Sequence, residues 1–453
     1  MVRIVILGGG FGGLYTALGL QRRLARRRDV EITLINGENY FLFYPLLPEA
    51  GMGDMEPDHP IIPIRSLARH FRFIRAEVTG VDPIRRAVLT AQDGVARIPY
   101  DHLVIALGAV PNLGQVCGAE ETALTFQSLA DAFYLRNHVI SCLEQADCET
   151  DLERQRTLLT FVVIGGGFTG VEVAGELESF VRGIAPFYPR VDPRLFAFHL
   201  IQLTGQLLPE LSPDLGRYAC RALSERGIVV WLNTATDHLA GDDIVLTDGH
   251  TLHARTTVVA TGIRVPDLLI RLPWRKDAKG RLLVRPDLQV AEAPGVWALG
   301  DCAALRDPAG GWYPATAQHA LREADCLADN LKRSLDGKTT RPFHYTSRGT
   351  MVNLGRHQGV AKVLNWHLEG LPAWVLWRGY YLMRMPKWDR RLRVLLDWLV
   401  RMVAPRDMSV LPVEPPHRLE HRAPGAPAHR PAVPPADHPA ATGSTANLER
   451  KTG

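Results

Sequence analysis

The chain has 453 residues, 46% of them hydrophobic, with 52 basic and 48 acidic side chains and a formal charge of +4. That length buries two or three cores rather than one, and so even a charge balance argues against nucleic acid as a partner. Six scattered cysteines without ligand spacing exclude a disulfide scaffold, suit a reducing compartment and give no metal site, with a Cys142–Cys148 pair left open.

The first strand begins about two residues in, which leaves no room for a secretion leader. No run of about 18 uncharged apolar residues is present to span a bilayer. The expectation is a protein in the cytosol or on the cytoplasmic face of the cell membrane.

In chain order, Val2 to Leu7 reads as a buried parallel strand that enters Gly8-Gly9-Gly10-Phe11-Gly12-Gly13 and then a helix. In a GxGxxG turn between strand and helix, Gly8 turns the chain, Gly10 lets a pyrophosphate approach and Gly13 lets the helix pack closely. Phe11 and Gly12 belong to the same candidate FAD contact.

The second strand ends at Asn36, where such units usually carry an acid for the adenosine ribose, so Asn36 or Glu38 is the expected ribose contact. A return strand, DHLVIALGAVPN, ends in a small-x-Gly turn at Ala106 and Gly108.

The whole pattern then repeats. FVVIGGGFTGVEVAGEL places Gly165, Gly167 and Gly170 in the matching roles, FHLIQ ends at Gln202, and TTVVATGIRVPD turns at Gly262. Last comes VWALGDCAAL, in which Asp301 after Gly300 can accept hydrogen bonds from ribityl hydroxyls; taken alone it reads equally as a helix cap.

A dinucleotide unit interrupted by a second one sets a flavin against a nicotinamide. The reading is an α/β fold with two Rossmann-type dinucleotide-binding domains in a glutathione-reductase-like arrangement: FAD on 1–114 and 291–340, and NAD(P)H on 115–290. Gln202 would bond a ribose hydroxyl without repelling a 2′-phosphate, and no arginine follows it, so NADH is favoured with NADPH possible.

With these residues in view, the chain to about 411 resembles the type II NADH:quinone oxidoreductases, which are non-proton-pumping respiratory dehydrogenases. The segment NYFLFYPLLPEA is similar to the family's flavin-side stretch and has no cysteine, excluding a dithiol relay. GFTGVEVAGEL looks like the nicotinamide-site motif, which implies that Glu172 orients the dihydronicotinamide or assists quinone protonation. A dipole partner at the helix start is the alternative for Glu172, and Glu176 is the other candidate acid.

PATAQHALREADCLADNL resembles the helix whose N-terminus meets the flavin, with Ala317 and Gln318 on the motif. Arg322 and Glu323 stand where the family often has glutamines, and an ion pair of Arg322 with Glu323 or Asp325 is expected. The resemblance implies a membrane quinone as acceptor and a homodimer.

Residues 341–411 resemble the family's membrane-anchoring end. Between 371 and 408, eight basic residues face three acidic ones, and two amphipathic helices are expected, carrying Trp374, Trp377 and Tyr381, then Trp388, Leu392, Leu395, Leu399 and Met402. Such a basic, aromatic-belted end can lie on an anionic lipid surface, pack on the body, or do both.

The proline-rich stretch 412–453 is expected to be disordered. Two rivals remain: a soluble NAD(P)H-dependent reductase of a small redox protein, and an NADH-sensing flavoprotein. A sulfide:quinone oxidoreductase would need a cysteine pair that this sequence does not offer.

Overall fold

In the computed structural model, which describes residues 1–91, 97–347, 349–355, 357–364, 366–401 and 406–410, the strand Val2–Leu7 is the centre of a five-stranded sheet. The order is Val296–Ala298, His102–Ile105, Val2–Leu7, Val30–Asn36, Arg72–Arg75, and all four pairings are parallel. Both faces are covered, which is why this strand is apolar at successive positions. Ile4 and Ile6 pack with Leu14, Ala17 and Leu20 of the helix Phe11–Arg23 and with Leu327 and Leu331 of the helix Ala317–Leu335. Val5 and Leu7 point the other way, toward Leu103, Leu269 and Leu282.

The second sheet runs Ile228–Trp231, Ala197–Ile201, Thr160–Ile164, Thr256–Val259, again all parallel. The helices Leu129–Cys148 and Phe168–Ile184 cover one face. Ser128 caps the first of these with a reciprocal hydrogen bond to Asp131.

The two segments that pass between the sheets, Val110–Pro111 and Ile263–Arg264, pair antiparallel with each other. Beyond that crossing, Val265, Leu269, Leu272, Trp274 and Leu282 sit in one cluster with Val5, Leu7 and Leu103. The stretch 265–290, expected within the inserted unit, therefore packs on the first sheet. The chain changes sheets at the turn around Gly262, where a small-residue crossing carries more information than the apolar pattern that follows.

The C-terminal part opens with an antiparallel sheet, Gly349–Gly355, Gln358–Val363 and Trp366–Glu369, followed by the helices Gly370–Arg384 and Trp388–Arg401. Met402 and the expected disordered stretch 412–453 lie outside the described residues. Among those described, no helix is long and apolar enough to cross a membrane, and the six cysteines are free.

Candidate active site

The two glycine turns are built alike. A Cβ on Gly8 would stand 2.2 Å from the Ala106 carbonyl oxygen, and one on Gly13 1.8 Å from the Gly8 oxygen. Gly165 and Gly170 repeat this, at 2.4 Å from the Ala260 oxygen and 1.7 Å from the Gly165 oxygen. By contrast, a Cβ on Gly10 or Gly167 would meet nothing within 4 Å, and neither would one on Gly108 or Gly262. Each helix thus starts at a glycine facing open space, with the positive end of the helix dipole behind it, a setting suited to an anionic group such as a pyrophosphate. Gly12 packs on Leu299, while Phe11 sits edge-on against Phe41, with ring centroids 5.0 Å apart.

Asn36 and Gln202, expected on the ribose, are each hydrogen-bonded to a glycine turn. Asn36 Oδ1 accepts the Gly9 N–H at 2.7 Å and its Nδ2 donates to the Glu38 carbonyl at 2.9 Å. Gln202 Oε1 accepts the Gly166 N–H at 2.8 Å, and its Nε2 donates to Thr204 Oγ1 at 2.6 Å and the Gln206 carbonyl at 3.2 Å. Both amides brace a glycine turn from the adjacent strand end. Glu38 is exposed beyond Asn36.

The neutral Gln202 also leaves this strand end without a charge to repel a 2′-phosphate. Gln202→Glu is expected to lower kcat/KM for NADPH about tenfold relative to NADH, a difference of about 1.4 kcal/mol, as steady-state assays with both donors will read.

At the return to the first sheet, Gly300 and Asp301 form a single 3-10 turn. Burial raises the Asp301 carboxyl above its ordinary range, with Arg281 opposing. Glu323, overlooked in the sequence as a family departure, is the residue that fixes this turn: its Oε2 accepts the Gly300 N–H at 2.7 Å, and burial pushes its carboxyl up to about 7.

The expected ion pair of Arg322 does not form with Glu323 or Asp325. Arg322 lies over the Tyr345 ring at 5.5 Å, and Asp325 pairs with Arg23 at 2.7 Å, because Glu323 points inward and Asp325 faces the first helix. Ala317 begins the helix after Thr316, whose hydroxyl caps the His319 N–H. The Gln318 side chain donates to the Gly349 carbonyl at 3.1 Å and accepts from Tyr345 at 3.0 Å, tying the helix start to the C-terminal sheet.

The second glycine turn leads to Glu172 and Glu176, with Gly175 between them. A Cβ on Gly175 would stand 2.0 Å from the Leu354 carbonyl oxygen, so only glycine lets the strand Gly349–Gly355 come this close. That approach brings Asn353 to both acids. Its backbone N–H donates to Glu172 Oε1 at 3.2 Å and its Nδ2 to Glu176 Oε1 at 2.8 Å. Burial, opposed by the Asn353 hydrogen bond and aided by the charge of Glu49, pushes the Glu172 carboxyl up to about 8. Burial raises the Tyr44 hydroxyl to about 12, and half-buried Tyr381 also lies within reach of the Glu172 charge.

The expected stripe on the C-terminal helices divides: Trp388, Leu392, Leu395 and Leu399 face outward, and the first helix turns its rings inward. Trp377 and Trp398 are buried, and Tyr381 packs 6.1 Å from Phe43. The outward row is Val375, Met383, Trp388, Leu392, Leu395, Leu396 and Leu399, with Trp388 75% exposed. Most of the basic residues face inward as well: Arg378 binds Glu49, Arg390 Asp58, Arg391 the Met385 carbonyl, Arg401 Glu56 and Arg406 Asp54. Arg384, Lys387 and Arg393 remain without an ion pair among the described residues.

Residues 2–324 match the family model described as pyridine nucleotide-disulphide oxidoreductase. The chain is 32% identical over 87% of its length to the type II NADH:quinone oxidoreductase NdhA of Mycobacterium tuberculosis, covering 86% of that protein. It is 33% identical over 88% of its length to the demethylphylloquinone reductase NdbB of a Synechocystis strain, covering 96% of it. Among solved structures, NDH2 from Plasmodium falciparum in complex with NADH superposes with a TM-score of 0.84 at 20% identity, over 90% of this chain and 99% of that one, a likeness of fold.

Proposed function

Because the chain belongs to the type II NADH:quinone oxidoreductases, within the pyridine nucleotide-disulphide oxidoreductase family, we propose that it oxidises NADH and reduces a membrane quinone to quinol with FAD as its redox group. The observation that carries this reading is the pair of glycine turns opening on free space, one per parallel sheet, with Glu172 at the second.

FAD fits the first unit: Gly8, Gly10, Phe11, Gly12 and Gly13 form the cradle, Ala106 and Gly108 its far wall, and Gly300 with Asp301 the ribityl end. When bound there, FAD supplies the two-electron relay between donor and acceptor. NADH fits the second unit at Gly165, Gly167, Gly170 and Gly262. The start of the helix Ala317–Leu335 offers its dipole to negative charge, and Gln318 holds that helix start in place.

Glu172, protonated at neutral pH, is placed to donate a proton to a reduced quinone oxygen; in its acid form it keeps the Asn353 hydrogen bond. No cysteine takes part. Cys302 is buried, and its thiol, with Sγ 3.3 Å from the Gly108 carbonyl oxygen, is held neutral by that burial. Alkylating exposed Cys117 and Cys148 should therefore leave NADH oxidation by a short-chain quinone within about twofold of the untreated rate. Loss of activity would instead point to a thiol-based reductase.

The outward row on the C-terminal helices is the proposed peripheral membrane contact, on the cytoplasmic face, and a reductase of a soluble protein would need no such row. Since most of the basic residues are bound inward, attachment rests on apolar insertion more than on charge. Each leucine moved out of water contributes roughly 1.5–3 kcal/mol. The full chain should float with anionic vesicles at low and high salt, and Leu395→Asp/Leu399→Asp should sediment free of them. A homodimer, carried over from the family, would set two such rows side by side.

A further inference from the structure

Behind Glu172 lies a buried cluster that the reaction as described above does not use. Glu49, Glu176 and Asn353 are each at most 1% exposed. Asn353 Nδ2 donates to Glu176 Oε1 at 2.8 Å and to Glu49 Oε1 at 3.4 Å, while its Oδ1 accepts the Gly355 N–H at 2.9 Å, which fixes the amide's orientation. Glu49 takes two further donors from the C-terminal helices: Arg378 Nε at 3.0 Å and Trp398 Nε1 at 2.9 Å. Arg378 itself is clamped between rings, 4.0 Å from Trp374 and 4.6 Å from Trp398. Glu176 Oε2 has no hydrogen-bond partner among the described residues.

The charges do not balance. Four carboxyls meet here: Glu172 and Glu176 on one helix, Glu49 on the segment Leu47–Gly51, and Asp54 just after it. Arg378 serves Glu49 and Arg406 serves Asp54. The other neighbours are already matched or uncharged: Glu178 binds Arg182 and Arg226, Asp397 holds His59 beside Arg401, Asp407 meets Arg136, and Tyr44 and Tyr381 are phenols. An ionised carboxylate in such a place, without a cation or a second donor, is unfavourable enough to take up a proton instead.

We propose that Glu49, Asn353 and Glu176 form a proton-holding triad in which Arg378, delivered by the C-terminal helices, claims Glu49 as the carboxylate and leaves the proton on Glu176. Glu176 is then a positioning residue. Its neutral carboxyl lets Asn353 hold both acids, and it spares Glu172, one helical turn away, a second like charge. The seating of the C-terminal helices thereby sets the acidity of Glu172, a consequence that rests on the quinone-reducing role given to Glu172 above. Burial raises Glu176 and Glu49 alike, and the nearby arginines oppose this.

The test is infrared spectroscopy of the oxidised holoenzyme in H2O and D2O at neutral pH, which reads the C=O stretch of protonated carboxyls. Glu176→Gln should remove one such band. Glu49→Gln should also remove it, because the freed Arg378 charge draws Glu176 into its carboxylate form, and Glu49→Gln/Arg378→Met should restore it. In Glu49→Gln the ionised Glu176 puts a like charge one helical turn from Glu172 and raises its pKa, so the fall in quinone-dependent rate with rising pH should begin at a higher pH. An unchanged band in Glu176→Gln, or no restoration in the double variant, overturns the proposal. The spectra need neither NADH nor quinone, so they fail or succeed separately from the functional reading.

Discussion

Glu172→Gln is expected to slow quinone-dependent reoxidation of the bound flavin by about 100-fold or more, the usual scale of a lost general acid, while reduction by NADH stays within about twofold. Glutamine keeps the acceptor for the Asn353 N–H and loses only the transferable proton. The pH dependence has a definite sign. With its carboxyl at about 8, Glu172 is protonated and competent below that pH, and the wild-type reoxidation rate falls as pH rises through it. The variant should be slow and flat across the same range. A loss confined to the reductive half-reaction would assign Glu172 to orienting the dihydronicotinamide instead.

The second large effect separates the two nucleotide sites. Gly10 has φ −77° and open space before it, so Gly10→Val is expected to fold, with its methyl groups standing where the pyrophosphate approaches. The purified protein should be colourless, having lost more than about 100-fold in FAD affinity, or roughly 3 kcal/mol. Gly167 has the same geometry in the second unit, so Gly167→Val should keep its yellow flavin and lose rapid bleaching by NADH. Reciprocal results would exchange the two sites. Gly13→Ala behaves differently from both: its Cβ would collide with the Gly8 carbonyl, so the damage there is to folding.

The glycine turns were legible in the sequence because their constraints are local: a strand, a tight turn and a helix within a few residues. The places of Asn36 and Gln202 could also be read, but not their work. That a strand-end amide accepts the N–H of Gly9 or Gly166 depends on the register of the parallel strands, which no local pattern announces. Glu49, Asn353 and Arg378 meet across some 300 residues of chain, with no local pattern to announce it. The nearest signals were one acid in the otherwise apolar NYFLFYPLLPEA and a glycine set between two glutamates.

The C-terminal helices show a related limit. Periodicity finds two faces on a helix without saying what covers each, and the inward face took Trp377, Trp398 and most of the arginines. The sequence therefore located the two amphipathic helices, and of their expected tryptophans Trp388 faces outward while Trp377 packs on the body.

The central claim, electron transfer from NADH through bound FAD to quinone, is tested most directly by anaerobic double-mixing stopped flow. The protein is first mixed with one equivalent of NADH and then with a menaquinone or ubiquinone analogue, and the flavin absorbance is followed throughout. Rapid bleaching, then rapid recovery of the oxidised spectrum with quinol formed in equal amount, is the predicted result. Rapid bleaching followed by a reduced flavin that no quinone reoxidises would contradict the account and point to a protein acceptor or an NADH sensor.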